Sequence, residues 1–156
     1  MDKKQFIKLI IMAVSVGVLI GVDMLTKSYF DGKYIPIIEG VVSFTSSHNT
    51  GAAFSMLNDN TTFLLVITIV FLLMVVVFGV INFKNSSKTY NIGYVLILAG
   101  ALGNFIDRVA LGYVRDFISL DIIHFAIFNF ADSCLTIGVM LVIIYLLFIK
   151  KEEKKA

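Results

Sequence analysis

Four stretches of this 156-residue chain are apolar for close to the ~20 residues that a helix needs to cross a hydrocarbon layer of about 30 Å. They run over about 6–22, 62–83, 92–109 and 127–149. Lipid offers no partner to a backbone amide, so a segment inside it must be a helix or part of a closed barrel. Barrel strands alternate apolar and polar residues, and these runs do not. Composition agrees: 58% of the residues are hydrophobic and 15% charged, against an apolar share of about 45–50% in soluble domains. A soluble chain this short leaves too much of its surface exposed to hide so much Ile, Leu, Val and Phe. The expectation is an all-α integral membrane protein, one domain over 1–156, with four transmembrane helices.

The first run also has the outline of a cleavable signal peptide, with Lys3, Lys4 and Lys8 ahead of an apolar stretch. No small-x-small cleavage site follows it, only Asp23-Met24-Leu25-Thr26-Lys27, so it is read as a span. Cationic residues are retained on the cytoplasmic side. Lys3, Lys4, Lys8, Lys84, Lys88, Lys150, Lys151, Lys154 and Lys155 fall on one side, and only Lys27, Lys33, Arg108 and Arg115 on the other. Both termini are therefore expected in the cytoplasm, with about 23–60 and 111–126 facing outward. Eight of the 11 acidic residues lie in or next to those outer segments. The β-branched and aromatic run Val41-Val42-Ser43-Phe44-Thr45, approached through Gly32, Pro36 and Gly40, is expected to make a short strand there.

Ionisable groups at membrane depth are costly and point to function. Counting about 1.5 Å per residue from the cytoplasmic lysines puts Asp132 at about 27 Å, Asp107 at about 28 Å and Asp23 at about 22 Å, one level near the outer surface. Helical spacing gives each carboxylate companions on its own face: Asn104, Asp107 and Arg108; Asn129 and Asp132; Asp23 and Lys27. Asp23 and Lys27 read as an intrahelical ion pair. Asp107 reads as neutralised by Arg108 or by another cation such as Lys27. Asp132 has no Lys or Arg within a helical turn and is the strongest functional candidate. Asp116, inside the apolar-flanked segment Val114-Arg115-Asp116-Phe117-Ile118, is either a second acid or an ordinary loop aspartate.

Other chemistries find little support. A net charge of +2 with no basic stripe gives no sign of a nucleic-acid partner. One cysteine, Cys134, excludes an internal disulfide and reads as a small core residue. His48 and His124 lack ligand-spaced partners and read as surface residues, so no metal or other cofactor is expected. Ser46, Ser47 and Ser133 have no histidine or lysine placed by sequence as a base. Ala99, Gly103 and Gly138 read as small residues that let helices approach closely. A small transporter or proton relay remains the alternative, although such proteins place polar groups near the midplane rather than at one face. A passive scaffold is a third reading.

Five blocks in order make the chain resemble the lipoprotein signal peptidases, or signal peptidase II. They are Asp23-Met24-Leu25-Thr26-Lys27; Asn49-Thr50-Gly51-Ala52-Ala53-Phe54; Gly100-Ala101-Leu102-Gly103-Asn104-Phe105-Ile106-Asp107-Arg108; Val114-Arg115-Asp116-Phe117-Ile118; and Phe128-Asn129-Phe130-Ala131-Asp132-Ser133. The resemblance implies a bacterial plasma-membrane aspartic peptidase with a small extracytoplasmic β-cradle. It implies cleavage of prolipoproteins before a diacylglyceryl-modified cysteine, among membrane lipids, with inhibition by globomycin-type peptides. It places the catalytic pair on Asp116 and Asp132, and substrate contacts on Asn49, Asn104, Arg108 and Asn129. Asp23, Lys27 and Asp107 take architectural positions. Two departures stand out: His48 replaces a common arginine, and Arg115 replaces a frequent apolar residue before the second acid.

Overall fold

The computed structural model describes residues 2–51, 61–83, 86–123 and 125–150. Among them the chain forms four long apolar helices and one three-stranded antiparallel sheet. The helices are α1 (Lys3–Phe30), α2 (Thr61–Asn82), α3 (Lys88–Leu111) and α4 (Phe130–Ile144), which continues as a π-helical turn over Tyr145–Ile149. All four are long and apolar enough to cross a membrane once that turn is counted with α4. Their outer faces carry fully displayed aliphatic side chains such as Val80 and Ile81 (72% and 74% exposed), which only a lipid solvent tolerates over so large an area.

Helix ends follow local chemistry. Asp2 caps α1 in a reciprocal box with Gln5, and the Ser87 hydroxyl accepts the Tyr90 amide at the start of α3. Gly112, at φ 83°, ends α3 in the left-handed conformation that glycine adopts most cheaply. The first helix runs well beyond the expected 6–22 and keeps Asp23 and Lys27 inside its last turns. Both are fully buried, so their charges are matched within the protein and need not end the helix.

The expected strand is present and longer, as β2 (Val42–Asn49), and it has two neighbours. One is β1 (Tyr34–Ile38), an edge strand that tolerates Pro36, and the other is β3 (Val114–Leu120). The segment 114–118 is therefore half of a ladder, with Ser47 opposite Asp116 and Asn49 opposite Val114. Phe30 stacks on Phe117 at 4.8 Å and meets Phe44 at 4.3 Å, which fastens the sheet to the end of α1.

The tightest helix contact joins α3 to α4. A methyl group on Gly138 would sit 2.8 Å from the Gly93 carbonyl, and one on Gly93 would sit 2.9 Å from the Gly138 carbonyl. One turn-cluster further on, Gly100 lies directly beneath the Ala131 carbonyl. Gly103 and Gly138 match the small-residue expectation, and Gly93 and Gly100 extend the same close contact. Their seven-residue spacing, continued three residues later at Gly103, was the signal for that face.

Candidate active site

The site gathers where the sheet meets the ends of α3 and α4. Asn129 is the N-cap of α4: its Oδ1 accepts the Asp132 amide at 2.9 Å, while Asp132 Oδ2 accepts the Asn129 amide at 3.1 Å. This capping box holds Asp132 in the first turn, where the helix dipole favours negative charge. Just upstream, Phe128 pairs with Ile118 of β3, its carbonyl accepting the Ile118 amide at 2.8 Å. That bridge brings Asn129 beside Asp116, and Asn129 Nδ2 donates to Asp116 Oδ1 at 2.6 Å.

Three asparagine amides then tie the two carboxylates together. Asn49 Nδ2 donates to Asp116 Oδ2 at 3.0 Å, and Asn104 Nδ2 donates to Asp132 Oδ1 at 2.7 Å. The second Asn129 proton goes to Asn104 Oδ1 at 3.1 Å. Arg108 donates Nη2 to the Gly51 carbonyl at 3.0 Å, pinning the turn after β2 against α3. Asp116, Asp132, Asn49, Asn104 and Arg108 all line one cavity of about 580 Å³ whose remaining wall is mostly apolar, including Phe125, Ile127 and Leu135.

Behind this wall lies a second, buried layer of charge. Lys27 Nζ is 2.7 Å from Asp23 Oδ2 and donates to Asn104 Oδ1 at 2.9 Å. Asp23 Oδ1 accepts the Ala131 amide at 2.9 Å, so the α1 pair also holds the start of α4. Gly103 leaves room for that carboxylate: a Cβ there would stand 2.5 Å from Asp23 Oδ2. The intrahelical pair is thus as expected.

Asp107 differs in part from expectation. Its main partner is neither Arg108 nor Lys27, the latter standing 3.7 Å away, but Arg115, whose Nη2 lies at 2.7 Å and Nε at 3.2 Å. The backbone amide of Arg115 also donates to Asp107, at 3.0 Å. Arg108 and Asp107 are consecutive on a helix, so they point to different faces, whereas β3 delivers Arg115 across from α3. The departure at position 115 is therefore a cation for Asp107. Arg115 also reaches the Ser28 hydroxyl on α1, at 2.9 Å.

His48 is exposed, as expected, but it has a carboxylate partner that spacing concealed: Nε2 lies 2.9 Å from Asp31 Oδ1, which also accepts the Ser46 hydroxyl. Its ring stacks on Tyr113 at 4.2 Å. The His48 hydrogen bond holds the Asp31 carboxyl below its ordinary range. Cys134 is buried in α4. His124 and Ala52-Ala53-Phe54 lie outside the described residues.

Asp116 is 3% exposed and its pKa is pushed up to about 6. Burial is the largest cause and the charge of Asp132 the next, outweighing the hydrogen bonds from Asn49 and Asn129.

The family model for signal peptidase (SPase) II matches residues 15–148. The chain belongs to the signal peptidase II family. The lipoprotein signal peptidase of Streptococcus pneumoniae is 46% identical over 153 residues, covering 92% of this chain and 94% of the relative. That of Enterococcus faecalis is 40% identical over 144 residues, 89% of each. A bacterial membrane enzyme solved at 2.3 Å superposes with a TM-score of 0.80 at 38% identity, over 93% of this chain and 91% of that one. A second, solved at 1.9 Å, gives 0.76 at 38% identity over 88% and 92%. As a member of the signal peptidase II family, the chain is a bacterial membrane peptidase.

Proposed function

We propose that this peptidase removes the signal peptide of prolipoproteins by aspartic catalysis, cutting before a diacylglyceryl-modified cysteine. The observation that carries it is the shared environment of Asp116 and Asp132. Both line one cavity, both bond to Asn129, and the charge of one raises the proton affinity of the other. Around them the formal charges are Asp23, Asp107, Asp116 and Asp132 against Lys27, Arg108 and Arg115. One proton on the dyad makes this cluster of formal charges neutral.

Two carboxylates sharing a proton suffice to hydrolyse an amide. The ionised member takes a proton from water as its oxygen attacks the scissile carbonyl, and the protonated member gives its proton to the carbonyl oxygen. In the collapse the C–N bond breaks, the departing nitrogen takes the proton that came from water, and the new hydroxyl returns one to the other aspartate. The dyad ends as it began. Asn49 and Asn129 hold Asp116, Asn104 holds Asp132, and Arg108 keeps the Gly51 turn at the cavity edge, where an extended peptide backbone would bind.

The lysine distribution supports an outward-facing site with both termini in the cytoplasm. A lipidated cysteine is held at that interface by its acyl chains, each buried methylene contributing about 0.8 kcal/mol. The scissile bond then arrives at the depth of the aspartates, and the apolar wall of the cavity suits the lipid or a globomycin-type peptide. Incubating the purified protein in lipid with a diacylglyceryl-modified prolipoprotein tests this. Cleavage of the lipidated precursor alone, blocked by globomycin, is expected; equal cleavage of the unlipidated precursor rejects the substrate assignment. Gradient-dependent flux in proteoliposomes without cleavage favours the transporter instead.

A further inference from the structure

Lys27 is 0% exposed, stands 19 residues beyond Lys8 on the same helix, and does not line the cavity. A lysine in such a place loses its hydration, and one carboxylate on its own helix would be enough to neutralise it. Besides its carboxylate neighbours, its ammonium donates to an amide oxygen. The groups that face it are Asp23 on its own helix, Asp107 and Asn104 on α3, and, through those, Arg115 and Asp116 on β3 and Asp132 on α4. Asp107 is already held by Arg115 at 2.7 Å, so Lys27 is not needed to pair it.

An amide whose oxygen accepts from an ammonium is polarised, and its N–H becomes a stronger donor. Asn104 is such an amide: Lys27 lies 2.9 Å from its oxygen, and its nitrogen donates to Asp132 at 2.7 Å. Because Lys27 has no acceptor and Asn104 Oδ1 also accepts from Asn129, the Asn104 amide cannot flip without facing N–H groups with N–H groups. Asp116 receives amides too, from Asn49 and Asn129, but neither of those has an ammonium at its oxygen: Asn49 Oδ1 accepts the Gly51 amide and Asn129 Oδ1 accepts the Asp132 amide. The two acids of the dyad are thereby made unequal.

We infer that Lys27 is a positioning residue for the peptidase reaction, acting through Asn104 to hold the Asp132 carboxyl in its working orientation in the cavity. This rests on the aspartic reading above. It gives Lys27 a second task beyond architecture, and it predicts that the ammonium matters to turnover more than to substrate binding.

The test is a kinetic double-mutant cycle on the full-length protein in lipid, with a diacylglyceryl-modified precursor. Lys27→Gln combined with Asp23→Asn removes both charges together, so no lone carboxylate is left on α1. The double variant is expected to lose about a hundredfold in kcat, the scale of one acid–base contribution, with KM within about threefold. Asp23→Asn alone, which keeps the ammonium, is expected to retain kcat within about threefold. In an Asn104→Ala background the Lys27 and Asp23 changes should cost less than about twofold more, because the link is already cut. A double variant that turns over like wild type overturns the inference, as does a loss that is fully additive with Asn104→Ala. If the double variant is not recovered folded, Lys27→Met combined with Asp23→Leu replaces the pair by apolar side chains that suit a buried position. It must show the same kcat loss, and wild-type kcat there also overturns the role. Wild-type protein that leaves the precursor intact overturns the peptidase reading as a whole; a cleaving wild type with unaffected variants overturns the Lys27 role alone.

Discussion

Asn129 Nδ2 and Asp116 Oδ1 lie 2.6 Å apart, although one residue caps a membrane helix and the other sits within a β-strand. The same amide group donates to Asn104, and the same residue's backbone donates to Asp132. A single asparagine thus sets the separation of the two acids, and the predictions below concern what that arrangement does.

Asp116→Asn and Asp132→Asn should each leave an inserted, folded protein whose cleavage of lipidated precursor falls by at least about a thousandfold, since each removes one proton-transfer partner. Single-turnover assays on purified variants with matched melting temperatures check this. Near-normal turnover of either variant removes it from the dyad.

Asp116 carries a pH signature. With its pKa at about 6, the dyad loses its shared proton as pH rises, so kcat/KM should decline on the alkaline side of about 6. A profile flat from there to strongly basic pH contradicts a proton on this residue.

The same shift bears on stability. The folded-state pKa lies above the unfolded value of 3.8, so the stabilisation from a protonated Asp116 is fully present below pH 3.8. It is lost as pH rises through about 6, a change on the order of 3 kcal/mol. The melting temperature of wild type relative to Asp116→Asn should therefore fall between acid and neutral pH, as read by thermal denaturation in detergent.

Arg115→Leu should destabilise the protein by about 3 kcal/mol, because it strips the closest cation from an Asp107 carboxylate that is 1% exposed. Adding Asp107→Asn should recover part of the loss by removing the orphaned charge. Melting of the single and double variants decides it, and a double variant no better than the single one shows that Arg115 acts through packing.

Gly138→Val places methyl groups against the backbone of Gly93 and Ile97, which cannot swing aside. A cost of about 1–3 kcal/mol is expected. Activity should fall further than stability implies, since α3 carries Asn104 and α4 carries Asp132. Turnover should, by contrast, survive EDTA; a loss restored by one metal ion would reject a reaction run by carboxylates alone.

Residue order by itself determined the four helices, because apolar runs of membrane length admit no other structure in lipid, and it marked Asp132 because no cation lies within a helical turn. The Asp23–Lys27 pair was readable for the same reason: positions four apart on a helix must meet. Position 116 was ambiguous between loop and site, because a strand's partners are set by register with β2 and by the bridge to Phe128, not by neighbours in the chain. Likewise Arg115 reaches Asp107, His48 reaches Asp31, and Lys27 reaches Asn104 only after the sheet closes on the helix ends. Helical periodicity is a local property and could be counted along the chain. The hydrogen bonds among Asn49, Asn104, Asn129 and the two aspartates join separate elements, so tertiary packing alone decided which charges share a site.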